Sequence, residues 1–215
     1  MHRRGLLLAA ASTATAGGVA AQQQIAIPLG NAQIGQLPGG FRAALTGQGA
    51  PAAWSVVDDP SVSAGKVLAQ TSADRTDYRF PLAIYAGVNA ADVEVAVRFK
   101  AVAGRVDRAG GIAIRLADAD NYYVLRANAL EDNVNFYHVV RGTRREIGGA
   151  STKVASDQWH TLSLKAVGEQ FTIAFNDKTL FGVTDRTVTH AGKIALWTKA
   201  DSVTRFDALT IRILT

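Results

Sequence analysis

Two-residue alternation of apolar and polar side chains recurs from Trp54 to Ile213, and no window carries the spacing of an amphipathic helix. Val93, Val95, Val97 and Phe99 alternate with Glu94, Ala96 and Arg98. His160, Leu162, Leu164 and Ala166 form a second inward set, Phe171, Ile173 and Phe175 a third, and Leu209, Ile211 and Ile213 a fourth. In a strand this period sends successive side chains to opposite faces, so each segment has one side for a core and one for water. Turn signals such as DDPS, SAG and NDK separate the runs at intervals of roughly eight to twelve residues. The pattern predicts an all-β chain of about a dozen strands, folded as a two-sheet antiparallel sandwich.

Composition bounds the stabilising devices. At 48% hydrophobic and 19% charged the chain is globular in character. It has no cysteine, which removes disulfides, thiolate metal sites and a cysteine nucleophile. Its four histidines, at 2, 138, 160 and 190, form no close pair, and His138 alternates with Phe136 and Val140 as a core histidine would.

Gly110 to Val140 reads as a β-meander with two polar connections, ADAD and NALEDN. If Ile112, Ile114, Tyr123, Leu125 and Ala127 face the core, then Arg115, Arg126 and Asn128 face the other way, beside the small residues Gly111 and Ala113. By the same alternation Tyr137 and Trp197 leave the core, and Lys199 shares the face of Trp197. A guanidinium fork, an amide, a phenol and an indole on a scooped sheet face are groups that hold a sugar. Arg115, Arg126, Asn128, Tyr137, Trp197 and Lys199 are therefore the expected substrate-binding residues. The competing expectations are a second core role for Trp197 and cross-strand ion pairs of Arg98 and Arg126 with Glu94. Asp118, Asp120 and Asn121 suit a tight turn, with calcium ligation as the alternative. Glu94, Glu131 and Asp201 are the carboxylates to weigh for glycoside cleavage, which needs two acids at a defined separation. Trp159 is expected to pack at a strand start. No other cofactor is expected.

Met1–Ala21 reads as a cleaved signal peptide: a basic start, a modest apolar stretch, and small residues before Gln22. Arg3-Arg4-Gly5-Leu6-Leu7 is similar to a twin-arginine export motif, with the Sec route as the alternative. The expected location is periplasmic or extracellular. Residues 22–52, rich in Gly, Ala and Gln, are expected as a lead-in with one short strand, and residues 53–215 as the domain. The net charge is +5, and the basic residues are dispersed apart from Arg141–Arg145 at an expected hairpin tip, so a solvated turn is expected there and no nucleic-acid partner. No membrane insertion of the mature chain is expected.

GGIAIRLADADNYYVLRANALEDN, DQWHTLSLKAVGEQFTIAFNDKTLF and AGKIALWTKADSVTRFDALTI together resemble the concanavalin A-like lectin/glucanase jelly-roll superfamily. Within it the chain is most similar to secreted bacterial 3-keto-disaccharide hydrolase-like and laminin G-like domains, from about Trp54 to Ile213. The resemblance implies a jelly roll with one concave sheet. It leaves two functions open: a carbohydrate-binding module without chemistry of its own, or a glycoside or 3-keto-disaccharide hydrolase. The E-x-D-x-x-E run of family-sixteen glycoside hydrolases is missing, since Ala96 and Val97 follow Glu94. An envelope protein whose open face binds another protein is a third reading.

Overall fold

A computed structural model describes residues 24–214, and the expected signal peptide lies outside them. The chain forms strands β1 (Gln24–Ile27), β2 (Phe41–Gly47), β3 (Trp54–Asp58), β4 (Lys66–Gln70), β5 (Arg79–Ala90), β6 (Val93–Ala103), β7 (Ala109–Asp118) and β8 (Asn121–Asn128). It continues through β9 (Asn133–Val140), β10 (Thr143–Ser151), β11 (His160–Val167), β12 (Gln170–Phe175), β13 (Lys178–Thr184), β14 (Gly192–Trp197) and β15 (Val203–Ile213). All pair antiparallel in two stacked sheets, as the alternation predicts. One runs β13-β12-β11-β6-β15-β4-β3, with β1 also on β15; the other runs β10-β9-β8-β7-β14-β5-β2. Among the described residues no helix is long and apolar enough to cross a membrane.

The segment expected as a lead-in is part of the sandwich. It supplies β1, and it supplies β2, whose register on β5 runs from Phe41↔Tyr85 to Gly47↔Arg79. Gly and Ala hide this strand from a hydropathy reading, because β2 packs its backbone on a sheet edge with few large side chains.

The main core lies between the sheets. Val93, Val95, Val97 and Phe99 of β6 and Leu162 and Leu164 of β11 meet Ile112 and Ile114 of β7, Leu125 of β8 and Phe136 of β9 there. The eight-stranded sheet has a wet outer face, where Arg98 pairs with Asp207 at 3.0 Å, and Lys100 and Arg205 both hold Asp59 at 2.9 Å. The Asn176-Asp177 turn joins β12 to β13 with positive φ at both residues (46° and 62°), the conformation a tight hairpin requires.

The seven-stranded sheet is different: its central strands β7 and β8 are buried on both faces. Every residue from Ala109 to Leu116 and from Tyr122 to Asn128 is buried. A second apolar cluster (Phe80, Leu82, Ile84, Tyr122, Val124, Tyr137, Val139, Ala195 and Trp197) covers the face turned away from the main core. Among the described residues no further sheet stands over it. The sheet curls until its two sides meet. Tyr78, just before β5, donates from its hydroxyl to Gly142 O at 2.7 Å and accepts from Arg144 N at 2.9 Å on the β9–β10 hairpin. Thr46 of β2 donates to Ala119 O and bonds Tyr122 Oη at 2.8 Å. The buried Arg79 fixes this strap by donating to the carbonyls of Ala50, Pro51 and Ala200. Gly111 makes the inner packing possible: a Cβ there would lie 2.5 Å from Leu125 O and 3.3 Å from the Trp197 ring.

Candidate functional site

The curled sheet brings together five of the six residues expected at its hollow face and sends the sixth elsewhere. Arg126 and Asn128 of β8, Tyr137 of β9, Trp197 of β14 and Lys199 just beyond it share the inner side. Arg115 does not. A bulge between Ile114 and Asp118, with Arg115 at φ 50°, reverses the alternation of β7. Leu116 then joins the hollow face, and Arg115 turns toward the main core over Phe171 and Tyr123, at 5.2 and 5.9 Å from their ring centres. Its guanidinium is spent on the carbonyls of Ala91, Val188 and Gly168 and on Asp92. It is a structural clamp.

Trp197 is likewise no stacking platform. It is 0% exposed, lies 5.3 Å from Phe80 ring to ring, and donates from Nε1 to Tyr122 Oη at 3.3 Å. Arg144 closes the space above it. The β9–β10 turn was expected to hold five solvated residues, Arg141–Arg145. Instead Arg144 folds back over Tyr137, Phe80 and Trp197, at 4.4, 4.9 and 5.7 Å from their ring centres. Sequence carries one signal for this: Arg144 lies opposite Val139, which itself faces the hollow.

The polar end of the hollow lies where the β8–β9 loop, the start of β7 and the end of β14 converge; Glu131 is half-exposed there, and Arg126, Asn128 and Asp107 are buried. Asn128 accepts Leu130 N at 2.9 Å and so shapes the loop that presents Glu131. Arg126 donates to Glu131 Oε2 and Asn133 Oδ1, both at 2.7 Å. Its partner is thus Glu131 and not Glu94, which stands on the outer face of the other sheet and pairs with Arg212. Lys199 lies 2.6 Å from Asp77 and 3.0 Å from Asp107. Asp107, which sequence reading passed over, is wholly buried here. Asp201 sets its position by accepting the backbone N–H groups of Arg105, Val106 and Asp107 at 2.8, 3.0 and 3.0 Å.

Two carboxylates at this end are driven in opposite directions. Burial pushes Asp107 above the usual carboxylate range against the pull of Lys199 and Arg126. Burial also works on Glu131, but hydrogen bonds from Asn133 and Arg126 outweigh it and hold that group low. Buried polar atoms without a hydrogen-bond partner include Asp107 Oδ1, Arg126 Nε, Asn128 Nδ2 and Arg144 Nη1 here, and Trp54 Nε1 and His138 Nδ1 elsewhere. Such atoms are rare in folded chains and collect where a ligand or water belongs.

The other candidates are structural. Asp118 accepts Asp120 N and Asn121 Nδ2 at 2.7 and 2.9 Å, as a turn former does. Among the described residues no group of three His, Cys, Asp or Glu side chains is arranged to hold a metal. Trp159 lies under Arg98 and Lys100, each 5.0 Å from its ring, and donates to Ser61 at 2.9 Å. His138 is half-buried with Nδ1 3.8 Å from Asp185, at the rim and not in the core.

Known proteins share this architecture. The chain is similar to the carbohydrate binding module CBM66 from Bacillus subtilis (TM-score 0.61, 21% identity, covering 79% of this chain and 94% of that one). It is similar to a Bacillus subtilis protein of unknown function with a galectin-like fold (TM-score 0.56, 11% identity, 80% and 88%). It is also similar to the β-glucanase of Bacillus licheniformis (TM-score 0.54, 10% identity, 91% and 100%). At these identities the likeness is one of fold. No curated protein matches the chain in sequence. Residues 84–214, from β5 through β15, match the family of the C-terminal lectin domain of galactocerebrosidase. That match spans more than half of the chain, with strands of both sheets and Asp107, Arg126, Asn128, Glu131, Tyr137 and Lys199: the protein belongs to the galactocerebrosidase C-terminal lectin domain family.

Proposed function

We propose that this chain is an exported carbohydrate-binding domain that takes its saccharide at the polar end of the curled sheet, among Arg126, Asn128, Tyr137 and Lys199, with Asp107 and Glu131. Family membership and the concanavalin A-like fold support the ligand class. One observation carries the site: buried donors and an acceptor stand side by side without partners. Each such atom costs on the order of 1–3 kcal/mol when left unpaired, and a ring of hydroxyls, which both donate and accept, recovers that cost. Export rests on the basic, apolar and small-residue order of Met1–Ala21.

Binding of a saccharide set to the folded full chain, read on a glycan array and then by calorimetry, tests the reading. Arg126→Ala is expected to weaken the bound sugar by about tenfold or more, the value of one or two charge-assisted hydrogen bonds. A folded protein that holds no saccharide overturns it.

A hydrolase on the same scaffold is the second reading, favoured by Asp107 and Glu131 sharing one end of the hollow with their protonation pushed apart. Glu94 has no part in it, because it lies on the other sheet. Asp107 is already paired with Lys199, which ranks binding ahead of turnover. Release of products from a 3-keto-disaccharide or a β-glucan, lost in Glu131→Gln, would reverse that order.

A further inference from the structure

The cations of the hollow differ in one respect. Lys199 is matched by Asp77 and Asp107, and Arg126 by Glu131. Arg144 has no carboxylate partner among the described residues, and its guanidinium takes part in no hydrogen bond; only its backbone N–H is held, by Tyr78. The positive charge rests on three aromatic faces. Stacking of that kind uses the flat face of a guanidinium and leaves its N–H edge available. Nη1 on that edge is buried and unpartnered.

Arg144 does not stand alone. Arg126 also lies over the Tyr137 ring, at 5.5 Å, so one phenol carries both guanidinium groups. Arg126 is 2% exposed and keeps an unpartnered Nε; Asn128 is 0% exposed and keeps an unpartnered Nδ2. The unfilled groups around Tyr137 are therefore N–H donors beside a guanidinium that no carboxylate pairs directly; Glu146, two residues along β10, also faces Tyr137 and is held by Asn135 at 2.8 Å. A hydroxyl satisfies a donor but leaves the charge. A group that only accepts and is itself negative satisfies both.

Building on the carbohydrate reading, we infer that the saccharide is acidic: a sugar bearing a carboxylate or sulfate, whose anionic group meets Arg144 and Arg126 over Tyr137 while a ring hydroxyl donates to Asp107 Oδ1. The carboxylate and the sulfate share this chemistry, and separate arms of the test distinguish them.

The test is calorimetric titration of the full chain with three sets of oligosaccharides of equal length: neutral, uronic-acid and sulfated. An acidic set is expected to bind about tenfold tighter than the neutral one, a ratio that shrinks as salt rises. Arg144→Gln should abolish that preference, lowering the affinity for the acidic set far more than that for the neutral one. Arg144→Lys, which keeps the charge without the planar fork, should keep part of it and guards against a folding defect in the first variant. Arg145→Gln, exposed on the other side of the same strand, should leave the preference intact. Equal affinity for neutral and acidic sugars overturns the inference and leaves the lectin function standing. So does a preference that survives Arg144→Gln, or one that Arg145→Gln removes as readily. Failure of every set to bind overturns both.

Discussion

Lys199 Nζ lies 3.0 Å from Asp107 Oδ2, and Asp107 has no exposure to solvent. A carboxylate in that place is tolerated because an ammonium stands beside it. Lys199→Met is therefore expected to cost about 3 kcal/mol at pH 7, the usual cost of stranding one member of a buried pair. The pH dependence follows from the raised position of Asp107. A group whose folded-state pKa is raised favours the fold below its unfolded value of about 3.8 and loses that contribution as pH climbs through the folded value. The Lys199→Met penalty should shrink toward pH 4, and Asp107→Asn in the same chain should remove most of it. Urea unfolding at pH 7 and pH 4 measures this; a pH-independent penalty contradicts it.

Trp197 is a core residue of the curled sheet. Trp197→Ala should cost about 3–5 kcal/mol, as large core truncations do. Trp197→Phe keeps the contact with Phe80 and should cost much less, at unchanged sugar affinity. A variant that loses sugar binding with full stability would instead make the indole a ligand platform.

On the opposite sheet, Asp59 is 1% exposed and serves Lys100, Arg205 and Ser61 at once. Burial raises its pKa, but those hydrogen bonds outweigh burial and hold it far below the ordinary value. Its contribution is complete above the unfolded pKa and fades as pH falls through the folded one. Asp59→Ala should cost about 3 kcal/mol near neutrality, with no effect on sugar binding at the other sheet. Denaturant midpoints and binding isotherms on one preparation check both halves.

Gly111→Ala should destabilise by about 1–3 kcal/mol, because the added methyl meets the backbone oxygen of Leu125, which cannot rotate away. Gly168→Ala is the contrast. Nothing surrounds a Cβ there, and any loss reflects only its φ of 54°. Thermal unfolding of the two variants side by side separates crowding from backbone strain.

Much of this was legible before the fold. Val93–Phe99 and His160–Ala166 declared their faces by alternation, and the Asn176-Asp177 turn its hairpin by residue type. The strand register sets Arg126, Asn128, Tyr137 and Trp197 on the face turned from the main core, with Lys199 just beyond, and the alternation is what makes that legible. Arg115 is not on that face, because a single bulge flips everything after it and leaves no mark in hydropathy. Asp107 was passed over because it sits in a loop, where a carboxylate is ordinarily solvated. One short strand was expected in the lead-in and the structure has two, β1 and β2, because a Gly- and Ala-rich edge strand lacks the alternation that reveals its neighbours.

Local periodicity fixes which side of a strand each residue takes, and so this sequence determined an all-β sandwich and the residues of its second face. Whether that face stays open is a property of curvature, which depends on where distant edges meet. Only the tertiary structure decided that Tyr78 ties down the β9–β10 hairpin and so holds Arg144 over Trp197, since those bonds join residues 64 and 66 positions apart in the chain. The same closure left Arg126, Asn128 and Asp107 buried with atoms unpaired, and it is there, not at the indole, that a ligand finds something to bind.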